Sequence, residues 1–234
     1  MKLRELRSQI RTGLASRDDW PDETIDQWIA DGVRLYSAQF PRLQYFQTFV
    51  YEDDPVVQVG DAGQVVDVLS VEFPTGESPR RFWRRVPIDS LEFQSGGDYY
   101  AVTAAREGAN YSANQQQFAI VLAAAPTSDG IAGIEAVCRH DVPSGDSHVL
   151  TVPDAHLEAI GAYVAYRAAS ALEMTEAVTV DTSNVSIVLA QLGQTTRAAW
   201  RRWQQVMSML ETRDPVVRSA VVRWGDVGGV GRVY

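Results

Sequence analysis

The stretch VPDAHLEAIGAYVAYRAASAL, Val152 to Leu172, restarts a helical pattern that the chain abandons near Phe40, about a hundred residues earlier. Pro153 suits a first helical turn, and Asp154 complements the positive end of the helix dipole. Leu157, Ile160, Gly161, Val164, Ala168 and Leu172 then recur at helical spacing as one apolar stripe. Ala159, Ala162, Ala165, Ala169 and Ala171 keep the helix slim, so a neighbour can pack close. Interrupted and resumed helical texture predicts one helical body split by an insertion.

Working outward, the amino-terminal half of that body comes first. Leu3, Leu6, Ile10 and Leu14 predict a helix from Lys2 to about Leu14, ended by a turn around Ser16 to Asp19. In DDWPDETIDQWIADGVRLYSAQF, Asp19 is a candidate cap, Pro21 fits a first turn, and Asp22 and Glu23 stand where the dipole favours anions. Ile25, Trp28, Ile29, Gly32, Leu35, Tyr36 and Phe40 form its stripe, and Pro41 stops it. Beyond Leu172, a connector around Thr175 to Thr182 leads to a long helix from about Ser183 to Glu211. There Leu192, Thr196, Ala199, Trp203, Val206 and Leu210 alternate by four and three, the spacing of a packed seam.

Between the helical halves the period changes. From Thr48 to Val152, short runs such as FVY, VVQV, VVDVLSVEF, DYYAVT, QFAIVLA, GIEAVCRH and SHVLTV are separated by Gly, Pro, Asp, Asn and Ser. Such runs predict an antiparallel sandwich or small barrel. The fold class is therefore α+β. Amino- and carboxy-terminal helices (1–47 and 153–212) form a bundle, residues 48–152 are the β-rich insertion, and 213–234 are an extended arm.

The arm, DPVVRSAVVRWGDVGGVGRVY after Arg213, shows no sustained helical stripe and carries four glycines, which make an isolated ordered element costly. Val216, Val217, Val221, Val222, Trp224, Val230 and Tyr234 are nevertheless too apolar for an idle solvated tail. With Arg223 and Arg232 they are the candidate residues for binding a partner. The arm is also charged differently from the rest. Four arginines against Asp214 and Asp226 give it +2, which leaves −11 of the total −9 for the body.

Composition bounds the function. At 234 residues, 45% hydrophobic and 22% charged, the chain has the profile of a folded soluble protein. No signal peptide or membrane-length apolar run is apparent, so the expected site of synthesis is the cytoplasm. The acidic total disfavours a protein that grips nucleic acid over a wide surface. Lys2 is the only lysine, and arginine, its replacement elsewhere, suits bidentate interface contacts. Cys138 is the only cysteine and reads as a small buried strand residue.

Chemical motifs are sparse. His140, His148 and His156 have neighbouring aspartates but no recognised ligand spacing, and read as separate surface or capping residues. No nucleophile elbow or phosphate loop occurs; GDVGGVG lacks the lysine and serine of a P-loop. SGGDYY around Gly96 and Gly97 reads as a hairpin turn. No catalytic residue, cofactor or metal is expected. A hydrolase built on Asp141 and a histidine lacks convergent partners. A helix-turn-helix regulator would present Asp22, Glu23, Asp26 and Asp31 to phosphates, the wrong sign. The cluster RRFWRR, Arg80 to Arg85, interleaves cations with aromatics and allows a nucleic-acid contact, a charge-guarded edge or a subunit interface. The interface and the guarded edge stand level, both ahead of a nucleic-acid contact; an interface would use Arg81, Trp83 and Arg85, on one face of a strand. Arg201 and Arg202 flank the seam residue Trp203 and should face outward.

The order of parts carries a resemblance. A helix with Trp20, Ile25, Trp28, Ile29 and Gly32, the succession FAIVLAAAP, GIEAVCRHDVP and TVPDAHLEAI, a long final helix and a trailing arm are similar to the head-to-tail adaptor proteins of tailed bacteriophages, also called connector or head-completion proteins. The resemblance implies a structural virion protein at the neck, assembled in the host cytoplasm. It implies a ring, usually dodecameric, of neighbouring copies beneath the portal protein, which extends the DNA channel without sequence-specific DNA binding. A downstream tail or stopper protein would dock on the ring, and no membrane is involved. A stopper or tail-terminator ring is the nearest alternative.

Overall fold

The computed structural model describes residues 1–14, 20–59, 64–104, 118–179 and 185–213. The chain divides into two compact units: Met1–Pro41 together with the stretch from His140 onward, and Arg42–Arg139.

The first unit is helical. Helix α1 spans Leu3–Gly13, α2 Asp22–Gln39, α4 Leu157–Thr179 and α5 Val185–Arg213, with a 3-10 turn at Asp154–His156 leading into α4. Most of the expected stripe residues are buried, but Leu35 of α2 is 42% exposed, off the face that packs. Leu3, Leu6, Ile10, Ile25, Trp28, Ile29, Tyr36, Leu157, Ile160, Val164, Trp203 and Leu210 share one core. Pro21 sits at the amino-terminal cap of α2 rather than inside its first turn, and no side chain caps that end. Gly32 brings α2 close to α4, because an added Cβ there would lie 3.1 Å from the Tyr163 ring. Along α5, Trp203 and Leu210 of the expected seam are buried and Arg201 and Arg202 are exposed, but between them Met207 is buried while Val206 is only half-buried.

Charge pins the amino terminus to this unit. Arg7 of α1 donates to Asp26 of α2 at 2.7 Å and to Asp146 at 2.5 Å, and Arg11 donates to the Trp20 carbonyl at 3.0 Å and to Asp22. Burial pushes the Asp26 carboxyl above the ordinary aspartate range, against the pull of Arg7. A bridge between Lys2 and Val149 and a bond from the Leu3 amide to the His148 carbonyl at 3.0 Å hold the first residues in place.

The second unit is a seven-stranded sheet: β1 Arg42–Val50, β2 Val56–Gln58, β3 Val65–Glu72, β4 Phe82–Arg85, β5 Tyr99–Ala104, β6 Phe118–Leu122 and β7 Gly130–Cys138. Their order is β1-β7-β3-β4-β5-β6-β2, and β1 approaches β2, so the sheet nearly closes into a barrel. Val50, Val68, Val71, Trp83, Tyr100, Ile120, Ile134 and Cys138 fill its interior. Strand β1 begins at Arg42, before the change of period at Thr48, because RLQYFQTFV alternates between half-buried and exposed positions from its first residue. One pair, β4 with β5, is parallel. The connection that makes it so contains a short helix, α3 (Leu91–Gln94), capped by the Ser90 hydroxyl. Gly96 and Gly97, with φ of 74° and 110°, follow that helix and turn the chain into β5. They do not join two strands, which corrects the hairpin reading.

Candidate functional site

Strand β4, Phe82–Arg85, takes up the last four residues of the RRFWRR cluster and alternates along them, while Arg80 and Arg81 precede the strand. Trp83 points into the barrel at 8% exposure, and its indole donates to the Phe73 carbonyl at 3.0 Å. Arg85, on the same side, donates to Asp67 at 2.7 Å, and Arg81 grips both carboxylate oxygens of Asp98. So Trp83 is a core side chain, and the two arginines read with it are engaged within the chain. Phe82 at 55% and Arg84 face solvent on the other side of the strand, and Arg80 and Arg81 ahead of it are exposed as well. Arg80 reaches Glu72 only at 3.9 Å.

A second surface gave no signal in the sequence reading. On β1, Leu43, Tyr45, Gln47 and Phe49 form an exposed, uncharged row. Phe49 stands at 50% exposure beside Ile131 of β7 at 45%, its register partner, and meets the ring of Tyr51, at 62%, edge to face with centroids 4.9 Å apart. Tyr45 lies over Gly133, where a Cβ would collide with its hydroxyl. The turn beyond Tyr51 is acidic: Glu52, Asp53 and Asp54 are exposed, and the Glu52 amide donates to Asp129 at 2.8 Å. An exposed, mostly apolar row of this kind, with no charge in it, suits contact with another surface. The signal lay in the alternation of LQYFQTF, a pattern hidden by its position next to the helix-ending Pro41.

The histidines do not form a chemical site. His140 is buried, contrary to a surface placement; its Nε2 lies 3.0 Å from the Phe40 carbonyl and its Nδ1 3.2 Å from the Thr151 hydroxyl. His156 Nδ1 and the Tyr36 hydroxyl are hydrogen-bonded at 2.5 Å. Tyr36, Phe40, His140 and His156 stack as one aromatic cluster, with centroids 5.1 to 6.0 Å apart, so two of the three histidines are joined through packing. Among the described residues no group of His, Cys, Asp and Glu could hold a metal ion, and no helix is long and apolar enough to cross a membrane. The arm residues Val216, Val217, Val221, Val222, Arg223, Trp224, Val230, Arg232 and Tyr234 lie outside the described residues.

A groove of about 700 Å³ runs along α1, α4 and α5, floored by Ile10, Leu14, Ala162 and Ala165 and open to solvent. It carries no convergent polar groups suited to chemistry; Glu158 and Arg202 at its rim pair with each other at 3.5 Å. What the chain offers is surfaces: a cationic aromatic strand, an aromatic face with an acidic border, and an apolar arm.

Comparison with curated proteins finds no match to this chain. The family model of the SU10 adaptor protein matches residues 1–220, across both units and into the arm. That family is one of structural adaptors and not of enzymes. The chain belongs to the SU10 adaptor protein family, a family of phage head-to-tail adaptors.

Proposed function

We propose that the protein forms a head-to-tail adaptor ring in the virion neck, docked beneath the portal, where it extends the DNA channel and offers the tail its attachment platform. The observation that carries this reading is the family match over nearly the whole chain, joined to a structure whose distinctive features are faces rather than a pocket of reactive groups. The arm from Arg213 to Tyr234 contacts the portal or a neighbouring copy through Val216, Val217, Val221, Val222, Trp224, Val230 and Tyr234, with Arg223 and Arg232 supplying charge-assisted bonds. The β4 strand serves as a subunit interface: Trp83 anchors it in the barrel core, and the ion pairs of Arg81 and Arg85 hold it flat for a neighbour. DNA passes a wall that does not attract it, since the body outside the arm carries −11.

Mixing the purified chain with the portal protein tests this. The full chain sediments with portal as a ring-bearing complex, and a chain ending at Arg213 loses at least tenfold in apparent affinity, because the arm's apolar contacts are gone. Failure of the full chain to join the portal contradicts the reading.

A further inference from the structure

Basic residues on the barrel are localised. No lysine or arginine occurs between Arg42 and Arg80, nor between Arg106 and Arg139, so β2, β3, β6 and β7 contain no basic residue and β1 only Arg42 at its first position. The cations gather on and beside β4. The carboxylates Glu52, Asp53, Asp54 and Asp129 gather at the end of β1 where Phe49, Tyr51 and Ile131 are exposed. Among the described residues no cation lies within ion-pair distance of those four acids, and no carboxylate lies within that distance of Arg84.

The two faces stand apart on one rigid element. In the order β1-β7-β3-β4 they are three strands from each other in a nearly closed sheet of seven, close to half of a full circuit. A neighbour approaching one face therefore leaves the other free.

We infer that the barrels of adjacent copies bind face to back, the exposed Arg80, Phe82 and Arg84 of one copy lying on Phe49, Tyr51 and Ile131 of the next, with its arginines on the carboxylates of Glu52, Asp53, Asp54 and Asp129. This rests on the ring reading above and names the surfaces that make the ring. The occupant is a second copy because each copy carries both halves, matched in sign and in texture. Phe82 supplies the apolar centre, the aromatic pair receives it, and guanidinium groups near Phe49 and Tyr51 add cation–π attraction to the ion pairs. Two different surfaces on one chain make a heterologous contact, which repeats from copy to copy and closes into a ring when the rotation allows. Association through it weakens with salt, since the charged border is solvent-exposed.

Complementary charge reversal in the full-length chain tests the pairing. One variant carries Arg80→Glu with Arg84→Glu, the other Glu52→Lys with Asp54→Lys; Asp53, at φ 60°, is left alone because lysine tolerates that backbone poorly. Circular dichroism and thermal melting check that both are folded. By sedimentation, wild-type copies associate in a salt-dependent way, and each variant alone self-associates at least about tenfold more weakly. An equimolar mixture recovers to within about threefold of wild type, because each variant meets a face of opposite sign on the other. A second measurement needs no stable complex: full-length Phe82→Cys and Tyr51→Cys chains, mixed and oxidised, give the mixed disulfide dimer in clear excess over either homodimer. Wild-type association that neither variant weakens, a mixture that does not recover, or homodimers in excess overturns the pairing. So does loss of duplex-DNA binding as the only effect of Arg80→Glu with Arg84→Glu, which would make β4 a nucleic-acid contact. Portal rings that form normally with the charge-reversed chains refute this pairing and leave the adaptor reading standing.

Discussion

Adjacent residues of β4 have opposite duties, and their substitutions separate stability from assembly. Trp83→Ala removes a buried ring and its bond to the Phe73 carbonyl, and is expected to cost about 3 to 5 kcal/mol in urea unfolding. Phe82→Ala leaves the isolated chain within about 0.5 kcal/mol of wild type, since its ring is exposed. His140→Ala strips partners from the Phe40 carbonyl and the Thr151 hydroxyl inside a packed cluster, and is expected to cost about 2 kcal/mol or more. That loss marks His140 as a structural residue. Tyr100 adds a pH dependence: burial pushes its phenol up to about 12, against the pull of Arg85. An unfolded tyrosine releases its proton near pH 10. The folded state thus binds the proton more tightly, so this contribution to stability is whole below about pH 10 and is lost as pH rises toward 12. Urea midpoints measured between pH 9 and 11.5 should fall less steeply for Tyr100→Phe than for the parent.

Elements show why the helices were more legible in the sequence than the sheet. The stripe of α1 is buried as read, and those of α2 and α5 depart from the reading only in part, at Leu35 and Val206 among others, because a helical period repeats over many residues. Gly32 is the test of that packing. Leucine there would drive into Tyr163 and Ile160, and should cost about 1 to 3 kcal/mol by spreading α2 and α4, seen as a lower melting temperature. Most strands are legible from composition, but SHVLTV forms none and joins the helical unit through a single bridge from Val149 to Lys2; pairing is not readable, since β4 lies beside β5 in parallel through a short helix no longer than one turn, too brief to leave a period. The outward row of β1 escaped notice because Tyr and Phe in a strand satisfy the same pattern whether they fill a core or face solvent. The cluster RRFWRR announced itself by charge and divided as strand geometry requires, yet which half faces out depends on the register with β3, a long-range fact. His140 looked like a loop residue because the sequence could not show that Phe40 and Thr151 would enclose it.

At the scale of the whole molecule, a helical unit and a barrel each have their own core, and functional differences lie on their outsides. The barrel gathers its basic residues on and beside β4, the last 22 residues have a positive side-chain total against an acidic remainder, and the family match makes the chain a phage adaptor. A protein working through surfaces has to be tested where those surfaces are occupied. Cryo-electron microscopy of the virion neck does so most directly. The account predicts repeated copies of this helical unit and barrel in one ring between portal and tail, with the residues after Arg213 in contact with a neighbouring molecule. Particles that lack the chain, or hold it away from the portal vertex, would contradict it.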